Sequence, residues 1–334
     1  MTRYSALGLI LLLNLSGCTQ AAQDVRETHF LLGTLVEFTI HTKNKQTALE
    51  AISKAAQVMR QVENAFTIYG DVDNTVKQFN QADVGQAVRL APEVDKLLLQ
   101  SINIHQQSDG AFDPTLGILN KLWGFSGEHP VRQPPTDSQI RHALAQSGAQ
   151  HIQKTGQGWV KDVQGLALDF GAIAKGYAID QGIQVFKQYG FTQAIINAGG
   201  DMRILGKHGD KPWRIAIRHP RGSQPLGWLR VEHDTSIVTS GDYERFYIYQ
   251  GQRYHHILNP ETGKPAKKSQ SVTVIAPTAT LADAWSTALF VLGSEQGLMM
   301  LKGQEKLDVL WVNADASLSQ THGFPIRDLA HKTE

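Results

Sequence analysis

Leu166-Ala-Leu-Asp-Phe-Gly-Ala-Ile-Ala-Lys-Gly-Tyr177 is the stretch on which the reading of the fold turns. It reads as a short apolar strand ending at Asp169, a turn at Gly171, and a helix that carries Lys175. A carboxylate and an ammonium thus meet at a strand-to-helix turn whose first backbone N–H groups have no helical partner. Such turns suit a phosphate-bearing ligand and its metal. The plain alternative is that Asp169 caps the helix and Lys175 is solvated. This stretch alone favours the alternative, and polar constellations elsewhere shift the balance.

Outward from it, helical and strand periodicities are interspersed. Residues 30–41 alternate and are β-branched, the pattern of a strand. Residues 47–66 place Ala51, Ile52, Ala55, Val58, Met59 and Val62 on one helical stripe. Residues 69–80 read as a polar turn region, and 91–108 as a helix with Pro92 in its first turn. Beyond them the pattern predicts a loop at 126–136, a helix at 136–147 and strands within 159–169. A helix follows at 172–189. Strands are expected at 193–197, 213–218, 226–232, 236–240, 244–249, 271–276 and 307–313, with an apolar helix at 279–292. Many strands separated by turns, with long helices between them, imply an α+β fold rather than a doubly wound sheet. The expectation is mixed or antiparallel sheets with packed helices in two closely joined lobes.

Arg3, an apolar run at 6–15 and Leu15-Ser-Gly-Cys18 bear on the compartment. The run is too short to span a bilayer and fits a secretory signal. Its ending resembles the bacterial lipoprotein processing box, in which cleavage precedes a cysteine that then carries lipid. Residues 1–17 are therefore expected to be a signal peptide, with Cys18 as the anchor, 18–28 as a polar tether and 29–328 as the folded domain. An incidental cysteine is the plainer reading. However, Cys18 is the only cysteine in 334 residues, and it cannot pair within the chain. Lys and Arg number 32 against 31 Asp and Glu. With no basic run, nucleic acid is excluded as a natural partner.

Further constellations carry chemistry-bearing side chains. In Gly110-Ala-Phe-Asp-Pro-Thr115, glycine permits close ligand approach, although from this motif alone a plain helix terminator with a capping Asp is the better explanation. In Asn197-Ala-Gly-Gly-Asp201, two glycines after a buried strand allow a tight turn or a ligand. Asp283 and Thr287 lie i, i+4 on one helix face and offer hard oxygens suited to Mg²⁺ or Ca²⁺. A dipole-favoured Asp and a Thr bonded back to a carbonyl are the bland alternative. Against it, the helix continues as Ala288-Leu-Phe-Val-Leu292, and a buried carboxylate needs a partner such as a cation. His255 or His256 is a candidate base or donor. Adjacent strand residues face opposite ways, so one buried and one exposed histidine is the plain expectation. Thr239-Ser-Gly-Asp-Tyr-Glu-Arg245 reads as a polar hairpin turn.

The order and spacing of these motifs, with His256-Ile-Leu-Asn-Pro-Glu-Thr-Gly263 and Ala282-Asp-Ala-Trp-Ser-Thr-Ala288, resemble the ApbE family of FAD:protein FMN transferases. The resemblance covers about residues 30–313. It implies an enzyme that splits FAD and attaches the FMN half to a threonine hydroxyl through a phosphoester, releasing AMP. It implies Mg²⁺, or Mn²⁺, held by the Ala172 carbonyl, Asp283 and Thr287. It implies FAD contacts from Leu32, Tyr69, Ala111, Phe112, Asp113, Asp169, Lys175 and Ile257. Leu32 stands where the family often has Met, and Asn259 where it often has Asp. His256 is expected to take the threonine proton, with Asp283 or Asp169 as competitor. The implied acceptors are membrane redox subunits of the sodium-pumping NADH:quinone reductase and Rnf type. The implied location is the periplasmic side of the inner membrane. The alternatives are a metal-dependent FAD pyrophosphatase, with water replacing threonine, and a non-catalytic FAD-binding lipoprotein. The Asp283–Thr287 pair argues against simple storage.

Overall fold

Val36, Phe38 and Ile40 bury one face of a strand, and that strand is the second in an eight-stranded antiparallel sheet. The computed structural model describes residues 21–125, 133–302 and 306–327; Cys18 and the expected signal lie outside the described residues. In chain order the elements are β1 (Gln23–Leu31), β2 (Thr34–Thr42), α1 (Lys45–Phe66), α2 (Thr75–Gln81), α3 (Pro92–Gln107), α4 (Gly117–Leu122) and α5 (Asp137–Leu144). Next come β3 (Ile152–Thr155), β4 (Gly158–Lys161), α6 (Ala174–Gln188), β5 (Ala194–Ala198), β6 (Asp201–Leu205), β7 (Trp213–Arg218) and β8 (Pro225–Val231). The chain continues through β9 (Thr235–Gly241), β10 (Phe246–Tyr249), β11 (Gln252–His255), β12 (Ser269–Ala276), α7 (Ala279–Met300), β13 (Asp308–Asn313) and β14 (Leu318–Gln320). The large sheet runs β1-β2-β5-β6-β9-β12-β13-β14, and the expected α+β class holds.

One face of the sheet is covered by helices. Ala51, Ile52, Ala55 and Met59 of α1 and Ile179, Ile183 and Phe186 of α6 join Phe38, Ile196 and Val274 in one apolar cluster. α7 is buried nearly all round, through Ala282, Ala284, Trp285, Ala288, Leu289 and Phe290, as expected of an interior helix. The β7–β8 ribbon covers the other face, packing Ile215, Ile217 and Leu229 onto Ile204, Ile237 and Val312.

Several expectations are corrected. The strand expected over 30–41 is a hairpin whose two-residue turn, Leu32-Gly33, has φ of 55° and 70°, the backbone of a primed turn that favours glycine. β1 begins at Gln23, so residues 23–28 are paired sheet and not tether. Within the polar turn region lies α2, started by the Asn74 side chain accepting from the Lys77 N–H. It buries only Val76 and Phe79, too weak a stripe for periodicity to register. α7 runs past the expected end at 292, after a break at Gly293 (φ 73°).

α6 and α7 approach closely at Gly176. A Cβ there would lie 2.2 Å from the Ala279 carbonyl oxygen and 2.8 Å from the Asp283 Cβ. Neither neighbour is the free end of a side chain, so Gly176→Ala is expected to cost about 3 kcal/mol, read as a drop in Tm of several degrees. Gly190→Ala, with nothing within 4 Å at a φ of 81°, is expected to cost only the backbone strain, about 1–2 kcal/mol.

Candidate active site

The central stretch is held from three sides before it reaches the site. The Asn80 side chain brackets Leu168, donating to its carbonyl at 2.9 Å and accepting its N–H at 2.7 Å. The Lys161 ammonium, buried and thereby shifted down, donates to the carbonyls of Asn80 and Leu166 at 2.9 and 3.0 Å. The Asp169 N–H donates to the Pro114 carbonyl at 2.8 Å, which aligns 110–115 beside 166–171. Phe66, at the end of α1, packs edge-on against Phe170 and Tyr177. The loop bearing Tyr69 therefore leaves α1 beside this turn.

α6 begins immediately after. In a regular first turn the Gly176 N–H would donate to the Ala172 carbonyl; it donates instead to Asp283 Oδ2 at 2.8 Å. That exchange seats the Asp283 carboxylate of α7 on the N-terminus of α6 and leaves the Ala172 carbonyl for another partner. Burial pushes the Asp283 carboxyl up to about 7, with Asp201 and Asp180 adding to the rise and Lys175 opposing it. Burial alone would depress the Lys175 ammonium; the Asp201 and Asp283 carboxylates outweigh it and hold the group above its ordinary value. Lys175 forms an ion pair with Asp201, whose Oδ1 also accepts the Thr239 N–H at 3.0 Å. One turn along α7 from Asp283, Thr287 Oγ1 lies 3.4 Å from Ser240 Oγ. Ser286 Oγ donates to the Asp283 carbonyl and contacts Ser240, both at 2.8 Å.

Asp283 and Lys175 thus meet at the start of α6, and Thr287 lies one turn farther along α7 beside Ser240. The expected pairing of Asp169 with Lys175 does not form: Asp169 accepts from the Gly171 N–H and the Asn120 side chain, each at 2.8 Å. It is not the cap of α6, where Ile173 occupies that position. Phe112 is fully buried in the core, with its N–H donating to Ser108 Oγ at 3.1 Å and its carbonyl 2.8 Å from His105 Nδ1. Asp113 is buried and braces its own turn, accepting from the Thr115 N–H and hydroxyl at 2.8 and 2.6 Å. Ala111 and Ile257 are buried, and the Ile257 carbonyl accepts from Ala266. Leu32 sits in the β1–β2 turn. Tyr69 is exposed, in a loop whose carbonyls at 69, 70 and 72 converge on the Lys77 ammonium.

The histidine pair divides as a strand end predicts. His255 is buried, with Nε2 on the Ala266 carbonyl at 2.7 Å. His256 is half-buried, with Nδ1 on the Arg245 carbonyl at 3.2 Å. Burial and the Arg245 cation hold His256 well below its ordinary value, with His255 and Lys175 adding to the effect. The ring is therefore neutral near pH 7. Because a carbonyl only accepts, Nδ1 carries the proton and Nε2 is free to take one.

Asp201, Asp180 and Arg245 are site residues that motif reading passed over. Asp201 stood in a Gly-Gly turn and gave no sign of its partner. Asp180 lies one turn beyond Gly176 on α6 and accepts the Ala279 and Thr280 N–H groups, each at 2.9 Å, and the Thr280 hydroxyl at 2.6 Å. A carboxylate, a hydroxyl and a carbonyl are all hard oxygen donors, and a buried carboxyl raised to about 7 is short of positive charge. That donor set fits Mg²⁺ or Mn²⁺.

The ApbE family model matches residues 32–311. An FAD:protein FMN transferase of Vibrio cholerae is 30% identical over 317 residues, covering 92% of this chain and 93% of that protein. Another, of Rhodobacter capsulatus, is 32% identical over 320 residues, covering 95% of this chain but 60% of that longer protein. The solved ApbE protein of Thermotoga maritima superposes with a TM-score of 0.82 at 33% identity, over 92% of this chain and all of that one. The solved flavin transferase ApbE from Vibrio cholerae gives 0.78 at 28% identity, over 90% and 97% of the two chains. By the family match over residues 32–311 and its likeness to these relatives along nearly the whole chain, this chain belongs to the ApbE family.

Proposed function

We propose that this chain is a Mg²⁺-dependent FAD:protein FMN transferase that moves the FMN half of FAD onto a threonine of an acceptor protein and releases AMP. The supporting observation is the buried Asp283 carboxylate, seated on the Gly176 N–H at 2.8 Å beside the Lys175–Asp201 ion pair. In the reaction the threonine oxygen bonds to the FMN-side phosphorus and the pyrophosphate bridge to AMP breaks. AMP keeps the bridging oxygen, and the hydroxyl proton passes to a base. Charge spreads over the non-bridging oxygens, so the work is positioning and electrostatic stabilisation. A divalent cation held by Asp283, Thr287 and the Ala172 carbonyl supplies charge neutralisation at the phosphates. Lys175 adds a second positive charge beside it. In this reading His256, whose Nδ1 is on the Arg245 carbonyl, takes the threonine proton at Nε2.

The location and partners follow from the same reading. A chain anchored through Cys18 on the periplasmic side of the inner membrane meets threonines of membrane redox subunits of the sodium-pumping NADH:quinone reductase or Rnf type. Cys18→Ser is expected to move the protein from the membrane to the soluble fraction, read by fractionation; continued membrane recovery refutes the anchor.

The direct test incubates the chain with FAD, Mg²⁺ and an acceptor domain, then reads the acceptor's mass. A gain of one FMN, lost with chelator, is expected. Free FMN and AMP beside an unmodified acceptor indicate the pyrophosphatase, and intact FAD a binding protein. His256→Ala is expected to lower kcat by about 10²-fold while FAD affinity holds; unchanged turnover removes His256 as the base.

Asp283→Asn separates function from stability. The expected loss of transfer is on the order of 10²-fold or more. Without a cation, the folded Asp283 keeps its proton up to about 7, against 3.8 for the ordinary carboxyl. Its contribution to stability is therefore full below the lower value and is lost as pH rises through the higher one. In chelator at about pH 8, Asp283→Asn is expected to raise Tm by several degrees, and at about pH 4 to leave it unchanged. Equal Tm values at both pH values would show that Asp283 is not strained by burial.

A further inference from the structure

A second group of ligating side chains lies at the opposite end of the same strands. Asp24 on β1 pairs in register with His41 on β2, and His208 follows β6 by three residues. Asp201 opens β6, so about 13 Å of strand separates the two ends. His41 Nδ1 and His208 Nε2 each lie 2.8 Å from Asp24 Oδ1. One atom from each of the three side chains falls within 4.8 Å of the other two.

We propose that Asp24, His41 and His208 form a second metal site, selective for a late transition cation such as Zn²⁺ and distinct from the oxygen-lined site at Asp283. Two imidazole nitrogens with one carboxylate oxygen is a donor set that Zn²⁺ takes readily and Mg²⁺ does not. A tetrahedral ion with bonds near 2.0–2.1 Å sets its ligands about 3.3 Å apart. Each nitrogen therefore needs to withdraw from Asp24 by only about half an ångström. The site is partly open, with His208 the most exposed of the three at 37%, which leaves room for water as the fourth ligand.

The ligands are braced from behind. Arg26 holds Asp24 Oδ2 at 2.7 Å and leaves Oδ1 to the histidines. The His208 ring stacks on Trp213 with centroids 4.4 Å apart. Its backbone is doubly bonded to Lys211, at 2.8 and 3.1 Å. Gln193 ties the two histidine segments together. Its carbonyl accepts the His41 N–H at 2.9 Å, and its side chain accepts the Gly209 N–H at 3.1 Å. A cation here clamps the edge strand β1 to β2 and to the loop after β6, so binding stabilises the fold.

The test titrates Zn²⁺ into the untagged full chain by calorimetry, with Mg²⁺ in excess. One equivalent is expected to bind and to raise Tm. The double variant His41→Gln, His208→Gln is expected to bind at least about 100-fold more weakly and to keep its Mg²⁺-dependent activity. No Zn²⁺ binding by the parent, or equal binding by the folded variant, overturns the site. Should the variant misfold, Co²⁺ bound to the parent decides. Tetrahedral d–d bands that Zn²⁺ abolishes and Mg²⁺ does not support the site, and their absence overturns it.

Discussion

Two helices that cap each other set the geometry on which the site depends. Asp180 of α6 takes the first free N–H groups of α7, at Ala279 and Thr280. Asp283 of α7 takes an N–H in the first turn of α6, at Gly176. Each carboxylate satisfies donors that a helix start leaves unpaired and sits where the helix dipole favours negative charge. The exchange needs the backbones in near contact, and the missing Cβ at Gly176 permits it. The registry of α7 along α6 is thereby fixed, and with it the height of Asp283 and Thr287 over the Ala172 turn. Burying α7 among Trp285, Leu289 and Phe290 then makes this registry expensive to change.

The fold class, the helix bearing Lys175 and the helix bearing Asp283 and Thr287 were all legible in the sequence. Long amphipathic or apolar segments announce themselves through periodicity, and an i, i+4 pair needs no tertiary knowledge. What stayed hidden was pairing across the fold. Lys175 binds Asp201 rather than the nearer-in-sequence Asp169, because α6 turns its first residues toward the start of β6. Asp180 looks like any polar residue inside a helix until α7 is laid against it. Phe112 and Asp113 belong to a motif, yet one fills the core and the other braces a turn. A motif shared with a family records where a ligand passes, and it does not distinguish side chains that touch the ligand from those that shape the backbone beneath it.

Short elements were missed for a different reason. α2 has a local cap at Asn74, but what holds it is Asn80 bracketing Leu168 from its last turn, a tertiary bond rather than propensity. The Leu32-Gly33 turn splits a continuous β-branched run that alternation reads as one strand. Leu32 at a φ of 55° carries backbone strain that glycine would relieve. Strain at a residue in the turn that the family resemblance assigns to ligand contact is consistent with a backbone shaped for something other than stability.

Asp180, Asp201 and Asp283, the carboxylates whose charges meet at the α6–α7 crossing, are not equivalent. Asp180 has three hydrogen-bond donors, two from backbone and one from the Thr280 hydroxyl, and the Arg203 guanidinium at 3.9 Å. Asp201 has the Lys175 ammonium and the Thr239 N–H. Asp283 has the Gly176 N–H alone among its hydrogen bonds, and its remaining support from Lys175 is shared with Asp201. A buried carboxylate with so little compensation is costly to ionise, which is why burial carries it to about 7. The neighbouring polar atoms do not relieve it, since the Ser286 hydroxyl is turned to the Asp283 carbonyl. The Ala172 carbonyl, bypassed by the Gly176 N–H, is a further acceptor and offers the carboxylate no donor. The fold has therefore placed a buried and sparsely compensated acid at a helix crossing too tight to relax.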